Sequence, residues 1–370
     1  MGPAERQFFH GYFGVVIAGV IIGAGAVSLQ LLGNPPNLGL CLGCFIRDTA
    51  GAIGLHRAAV AQYIRPELTG VVLGAMAAAV LGGQWRSRAG STPFISFTLG
   101  IFAMVGILVF LGCPWRVLLR LGGGDLNGAI GLAGLVVGSV GAGLLIKKGY
   151  PVAETTDATP VAGVIFPVMM LILLFLLALE VTFKPGLALF FSNVGPGSMM
   201  APMIASLAVG LLVGILAQRS RFCIVGALRL AALERRFVLL VGVLALVVTV
   251  VAMNMAIGRF KVGLVGMPIS HTDYVWSFLA TVLSGLAFTL GGGCPGRQLV
   301  RAGEGDGDAA VFCAGMFFGA GLCHNWALTA APDKMIDGSL AMGGPGIHAM
   351  IAVWVGIVFC VLVGILGRRG

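Results

Sequence analysis

The chain has 370 residues, of which 58% are hydrophobic and 10% charged, and its mean hydropathy is +1.02. Soluble domains carry about a quarter charged residues, so composition excludes a soluble domain and points to an integral membrane protein. The net charge of +9 suits Lys and Arg in cytoplasmic loops, and no basic stripe interleaved with aromatics points to nucleic acid.

The first apolar run, residues 11–32, is too long for a signal-peptide core and no small-residue cleavage site follows it. It reads as the first spanning helix. Further spans are expected at roughly 68–83, 93–111, 126–146, 161–181, 200–217, 237–257, 272–291, 308–330 and 347–367. Ten crossings place both termini on one side. The loops of that side hold 14 of the 23 Lys and Arg residues, which favours cytoplasmic termini. The 59 glycines are spread through the apolar runs, where small residues let membrane helices approach closely.

Two polar stretches interrupt this pattern. "GCPWRVLLRLGGGD" begins at Gly112 and "GCPGRQLVRAGEGD" at Gly293, and over 27 aligned positions the two regions share 13 identities. Upstream, "CLGCFIR" at Cys41–Arg47 matches "CIVGALR" at Cys223–Arg229 at nearly the same offset. The chain is therefore an internal duplication. Five spans separate equivalent points, and an odd number turns the second copy upside down, with the site near the midplane between the repeats. The expected fold is an all-α polytopic membrane protein, an inverted-repeat bundle with re-entrant half-helices. Residues 1–150 form the first repeat, 151–199 a connecting span and loop, 200–346 the second repeat and 347–370 a last spanning helix. The Cys41 and Cys113 motifs enter from outside, and those of Cys223 and Cys294 from inside.

Proline is favoured at the first position of a helix, so Pro114 and Pro295 read as helix starts with Cys113 and Cys294 as caps. Each thiol then sits at the positive end of a short helix, where free N–H groups can hold an anion. Arg116 and Arg120 share one helix face, as do Arg297 and Arg301; the glycines that follow break each helix before Asp125 or Asp306. Charged residues at membrane depth are candidates for function. The plainer alternative is a duplicated loop stabilised by Arg–Asp pairs. Cys41 and Cys223 have packing as their plainer reading. Cys44 completes C-x-x-C with Cys41, a pattern of redox and metal sites, but Gly226 stands at its place in the second copy. Cys313, Cys323 and Cys360 read as core, and His324, adjacent to Cys323, points to another helix face. His56 and His271 fit either a vestibule or a structural hydrogen bond. Glu180 is one of few intramembrane carboxylates. No Walker loop or nucleophilic triad is present, so no enzymatic activity, cofactor or metal site is expected.

The doubled Gly-Cys-Pro-x-Arg motif, "CFIRDTAGAIGLH" at Cys44–His56, "AQRSRFCIVGALR" at Ala217–Arg229 and "PISHTD" at Pro268–Asp273 resemble the YeeE/YedE sulfur-transport family. The likeness is greatest to its YedE-type selenium transporters and runs along nearly the whole chain. It implies an hourglass-shaped protein of the inner membrane that takes up a small selenium- or sulfur-containing species. It further implies a relay of the ion along central cysteines through weak S–H···S hydrogen bonds. The matching positions are Cys41, Cys113 and Cys294, with Cys223 added by the internal repeat. Arg47 and Arg229 would line or support the path together with Arg116, Arg120, Arg297, Arg301, Asp125 and Asp306. Relatives often show Arg-Asp where this chain has "ALRL", so a carboxylate neighbour for Arg229 is missing. Neutral thiols, favoured by burial, are weak donors and acceptors suited to a soft sulfur or selenium atom. A cytoplasmic sulfur or selenium carrier is the expected protein partner, and membrane lipid the surrounding one. The competing readings are a membrane thiol-redox protein passing electrons through paired cysteines, and a metal-ion channel, which lacks the expected His and carboxylate cluster.

Overall fold

The computed structural model describes residues 9–90, 92–152, 155–179, 189–336 and 339–367. Glu180 lies outside them, as do Arg6, Lys184, Arg368 and Arg369 among the loop charges. The first half contains α1 (Tyr12–Leu31), α2 (Leu42–Ala52), α3 (Pro66–Leu81), α4 (Pro93–Phe110), α5 (Pro114–Gly122), α6 (Asn127–Lys147) and α7 (Pro160–Ala178). The second contains α8 (Met203–Ser220), α9 (Ile224–Glu234), α10 (Val238–Ala256), α11 (Tyr274–Leu290), α12 (Pro295–Gly303), α13 (Gly307–Asn325) and α14 (Ile347–Leu366). Among the described residues, strand is confined to short antiparallel pairs in the loops, such as Arg88–Gly90 with Thr155–Asp157.

This is an all-α polytopic membrane protein. Nine helical stretches among the described residues are long and apolar enough to cross a bilayer. The tenth expected span is α3, whose 16 residues rise only about 24 Å at 1.5 Å per residue, against a hydrocarbon core of about 30 Å. Pro66 starts it and Gly82 caps its end, so its length is set by local chemistry rather than by apolar content.

Glycine places the helices against one another. A Cβ added to Gly19 or Gly23 of α1 would run into the backbone of Gly242 or Leu246 of α10, so these two helices touch and run parallel. The same holds for α3 with α8 through Gly70, Gly74, Gly210 and Gly214. Further in, α4 meets α13 through Gly100, Gly315 and Gly319, and α6 meets α11 through Gly134, Gly138 and Gly285. Close approach of this kind is how helices associate where lipid removes the hydrophobic driving force. Each half thus interlocks with the other: the first helix of one packs on the third of its counterpart.

The inversion is visible at Asn34, just past α1. Its amide donates to Glu67 at the start of α3 and its carbonyl oxygen accepts from the Ala201 N–H just before α8, both at 2.8 Å. The carboxyl end of α1 therefore meets the amino ends of α3 and α8, and α1 runs antiparallel to α8, its repeat equivalent. His10, before α1, shares a cavity with Gln84 just past α3 and Gln218 in the last turn of α8, while Gly364 in the last turn of α14 packs on Leu145 in the last turn of α6, and Gly367 just past α14 packs on Tyr150. Both described ends of the chain thus lie at one face, called here the N-terminal face.

Candidate functional site at the waist

Four half-helices aim their amino ends at the middle of the bundle. Pro114 and Pro295 are the first residues of α5 and α12, with Cys113 and Cys294 as N-caps; Cys41 and Cys223 occupy the same position on α2 and α9. The carboxyl ends of α2 and α5 lie at the opposite face: Asn325, at the end of α13, donates to Leu55 O, and Asn254, near the end of α10, donates to Gly122 O. Those of α9 and α12 lie at the N-terminal face, where Lys147 donates to Leu233 O and Arg86 N to Glu304 O. Half-helices entering from both faces leave four partially positive helix ends around one waist.

The four cap cysteines meet in two pairs. Cys41 Sγ lies 3.4 Å from Cys113 Sγ, and Cys223 Sγ lies 3.8 Å from Cys294 Sγ. Each Gly-Cys-Pro cysteine thus finds its partner within its own half. Cys41 is also bonded to Cys44 in a disulfide, so the C-x-x-C pair is closed in this state. The cysteines left as packing residues by the sequence, Cys313, Cys323 and Cys360, are free and buried.

Between the two pairs stands Trp115, a residue that sequence reasoning passed over. Its indole lies against Gly296, where an added Cβ would come within 2.7 Å of Nε1, and against Phe222 with ring centroids 5.8 Å apart. Nε1 is buried and has no hydrogen-bond partner among the described residues. Trp115 and Gly296 are the same position of the duplicated motif, so the contact sits where the two copies meet. Two tryptophans there would collide and two glycines would leave a hole.

The two sides of the waist differ. Cys223 borders a cavity of about 140 Å³ with Arg229, Thr289 and Gly293, toward the N-terminal face. Cys41 and Cys113 are fully buried. The segments that flank α2, 32–41 and 53–65, are far longer than their counterparts 221–223 and 235–237 around α9. Asp48 ties α2 to the second of them: it accepts from Arg47 Nε at 2.9 Å and from Arg65 Nε at 2.9 Å, while Arg65 donates to Met199 O and Pro196 O at 3.0 and 2.8 Å.

The duplicated arginines also divide their work. Arg116 and Arg120 are each 1% exposed. Arg116 donates to the carbonyls of Asn37, Leu111, Pro268 and Ile269, and Arg120 to Ile269 O at 2.8 Å. Arg120 also faces Asp125 at 3.4 Å and the Phe110 ring at 4.5 Å. Arg301 pairs with Asp306 at 2.9 Å, and Arg297 reaches Glu304 at 3.4 Å with its side chain 17% exposed. Asp306 caps α13 by accepting from Ala309 N, and Asp125 accepts from Asn127 N. Gly124 and Gly305 take φ of +88° and +93° between each half-helix and its aspartate, which suits glycine. The expectation that Arg229 lacks a carboxylate is corrected here: Glu234, the last residue of α9, lies 3.3 Å away, five residues on rather than next in sequence.

Both loop histidines make structural bonds. His56 Nδ1 accepts from Ala58 N at 3.3 Å, so Nε2 carries the proton and donates to Arg47 O at 3.0 Å. Its ring stacks on His324 at 4.2 Å, and burial pushes its pKa below the ordinary value. His271 Nε2 bonds to Val109 O at 2.8 Å. No group of three metal-binding side chains occurs among the described residues.

No curated protein matches the chain. Residues 219–369, which hold Cys223, Arg229, Cys294, Arg297 and Arg301, match the family model described as sulphur transport.

Proposed function

We propose that this protein carries a small sulfur- or selenium-containing species across the inner membrane, passing it along the two cysteine pairs at the waist. The observation that carries this reading is the placement of Cys41 against Cys113 and Cys223 against Cys294 where four helix amino ends converge, in a chain whose second half matches a sulphur-transport family. Helix amino ends lower the cost of an anion at membrane depth. Thiols offer weak S–H donors and soft acceptors, a chemistry suited to a soft atom held briefly and released. Trp115 Nε1 supplies a further donor between the pairs. With both termini in the cytoplasm, the Cys223 cavity is the inner end of the path. An inside-negative potential opposes each entering negative charge by about 2.3 kcal/mol per 100 mV, so removal of the product by a cytoplasmic sulfur or selenium carrier would draw uptake forward.

The test is uptake of labelled thiosulfate, selenite and selenide into proteoliposomes free of electron donors and acceptors. Cys113→Ser and Cys294→Ser keep a small hydrogen-bonding group but replace a soft atom by a hard one, and are expected to abolish most uptake at unchanged membrane expression. Uptake that survives both substitutions refutes the relay.

The bonded Cys41–Cys44 pair favours a second reading, thiol–disulfide chemistry. The Cys113 thiol stands next to the Cys41 sulfur, so exchange would form a Cys41–Cys113 bond, break Cys41–Cys44 and leave Cys44 as the thiol, with no net oxidation. The readings part at Cys44→Ser, which frees Cys41. A relay keeps or gains uptake; a redox protein loses its function.

A further inference from the structure

We infer that the N-terminal face carries an anion-binding vestibule, built from both halves, in which Arg88, Arg221 and Arg297 hold a small doubly charged oxyanion. A cavity of about 360 Å³ opens there between the ends of α3, α8 and α12, bordered by Gln84, Arg88, Gln218, Arg221, Arg297, Arg301 and Glu304. Four guanidinium groups face two carboxylates. Arg301 is engaged by Asp306 at 2.9 Å; Arg88 lies at loose distances from both carboxylates, 3.9 Å from Asp306 and 4.0 Å from Glu304, and Arg297 reaches Glu304 at 3.4 Å. Arg221 has no carboxylate partner among the described residues, and Arg88 Nε is buried without an acceptor. Among the described residues the site is left two positive charges in excess, with planar forks of donors that match oxyanion geometry.

The opposite face shows why these arginines are available. Backbone pairing is alike on both sides: Arg86 N and Arg88 N donate to Glu304 O and Gly305 O, as Lys261 N and Gly263 N donate to Gly123 O and Gly124 O. Beyond that point the linkers diverge, 82–92 on the N-terminal face against 257–273 on the other. The longer one carries Pro268 and Ile269 over Arg116 and Arg120 and engages them through its carbonyls. Among the described residues, no carbonyl of the shorter one accepts from Arg297, which borders the cavity and reaches only Glu304. One motif thus serves as a strut on one face and as a binding group on the other.

The sulfur in the ligand rests on the transport reading; its charge and oxygen face rest on the cavity alone. The experiment measures equilibrium binding of labelled thiosulfate and sulfate to the full chain in phosphatidylcholine nanodiscs. Both ions are expected to bind, to compete with each other and to weaken with salt. Arg88→Ala and Arg221→Ala should each weaken binding about tenfold or more, the loss of one charge-assisted hydrogen bond. Arg259→Ala, on the opposite face, should leave it unchanged. Cys294→Ser should lose uptake yet keep this binding, which separates the vestibule from the relay. Arg88→Ala and Arg221→Ala proteins that melt at the wild-type temperature and bind both ions as well as wild type overturn the inference. So does loss of binding in Cys294→Ser, which would place the ion at the waist. Complete displacement on adding anionic lipid would identify the occupant as a headgroup and overturn it equally.

Discussion

Replacing Gly296 by alanine tests whether the two halves touch at the waist. The new methyl would sit 2.7–2.8 Å from three indole atoms of Trp115, about 1 Å inside a normal carbon contact of roughly 3.5–4.0 Å. Trp115 is 2% exposed and backed by Phe222, so it cannot yield without moving α5. Overpacking of this kind costs about 1–3 kcal/mol, and the gain of alanine over glycine in a helix returns roughly 0.5–1 kcal/mol. The net expected loss is ~0–2.5 kcal/mol, with a larger effect on uptake because the cysteine pairs shift apart. Trp115→Ala alone should cost about 3–5 kcal/mol. In that background the clash is gone, and Gly296→Ala should be neutral or slightly stabilising. The double-mutant cycle should therefore show a coupling of about 1–3 kcal/mol, read by equilibrium unfolding in mixed micelles alongside uptake. If Gly296→Ala is equally harmful with and without the indole, the contact is not what limits this position, and the reasoning fails.

Other outcomes follow from the same geometry. Arg116→Ala strands the carbonyls of Asn37, Leu111 and Pro268, which now share one buried guanidinium, and should destabilise by several times the effect of Arg297→Ala, expected within about 1 kcal/mol; similar melting temperatures for the two would contradict the division of roles. Asp48→Asn leaves Arg47 and Arg65 buried without their counter-charge and should cost about 3–5 kcal/mol, measured by unfolding; a loss below about 1 kcal/mol would show the ion cluster to be dispensable. His56 has a folded pKa depressed below 6.5 by burial. Its contribution to stability is present above that value and fades as pH falls toward the folded pKa, because the unfolded chain binds the proton more readily. His56→Gln should accordingly flatten the fall in melting temperature between about pH 6.5 and 5, and an unchanged profile would remove His56 as its cause. Cys360→Ser, far from the pairs, should leave uptake at the wild-type rate in the vesicle assay.

The helices and their inversion were legible in the residues alone. Runs of apolar residues long enough for a bilayer have few alternatives to helix, because lipid offers no partner for an open backbone. Pro114 and Pro295 marked the starts of α5 and α12 because the missing N–H costs nothing at a helix's first position, and a duplication at odd span separation implies antiparallel halves. What the duplication could not convey is how equal motifs come to differ. Arg116 and Arg297 sit in the same sentence of sequence, and only linker length, acting through space, buries one under Ile269 and opens the other to a cavity. Arg229 finds Glu234 because α9 ends there and the long guanidinium side chain reaches back to its last residue, a proximity hidden when only sequence neighbours are compared. The pairing of Cys41 with Cys113, 72 residues apart, depends on two half-helices being driven to one point by packing against the opposite repeat. Trp115 and Gly296 carry the same lesson: residues at a meeting point of two copies cannot both follow the repeat, since a shared volume admits one large side chain. Local chemistry determined the elements, and the filling of a common interior decided which of their side chains meet.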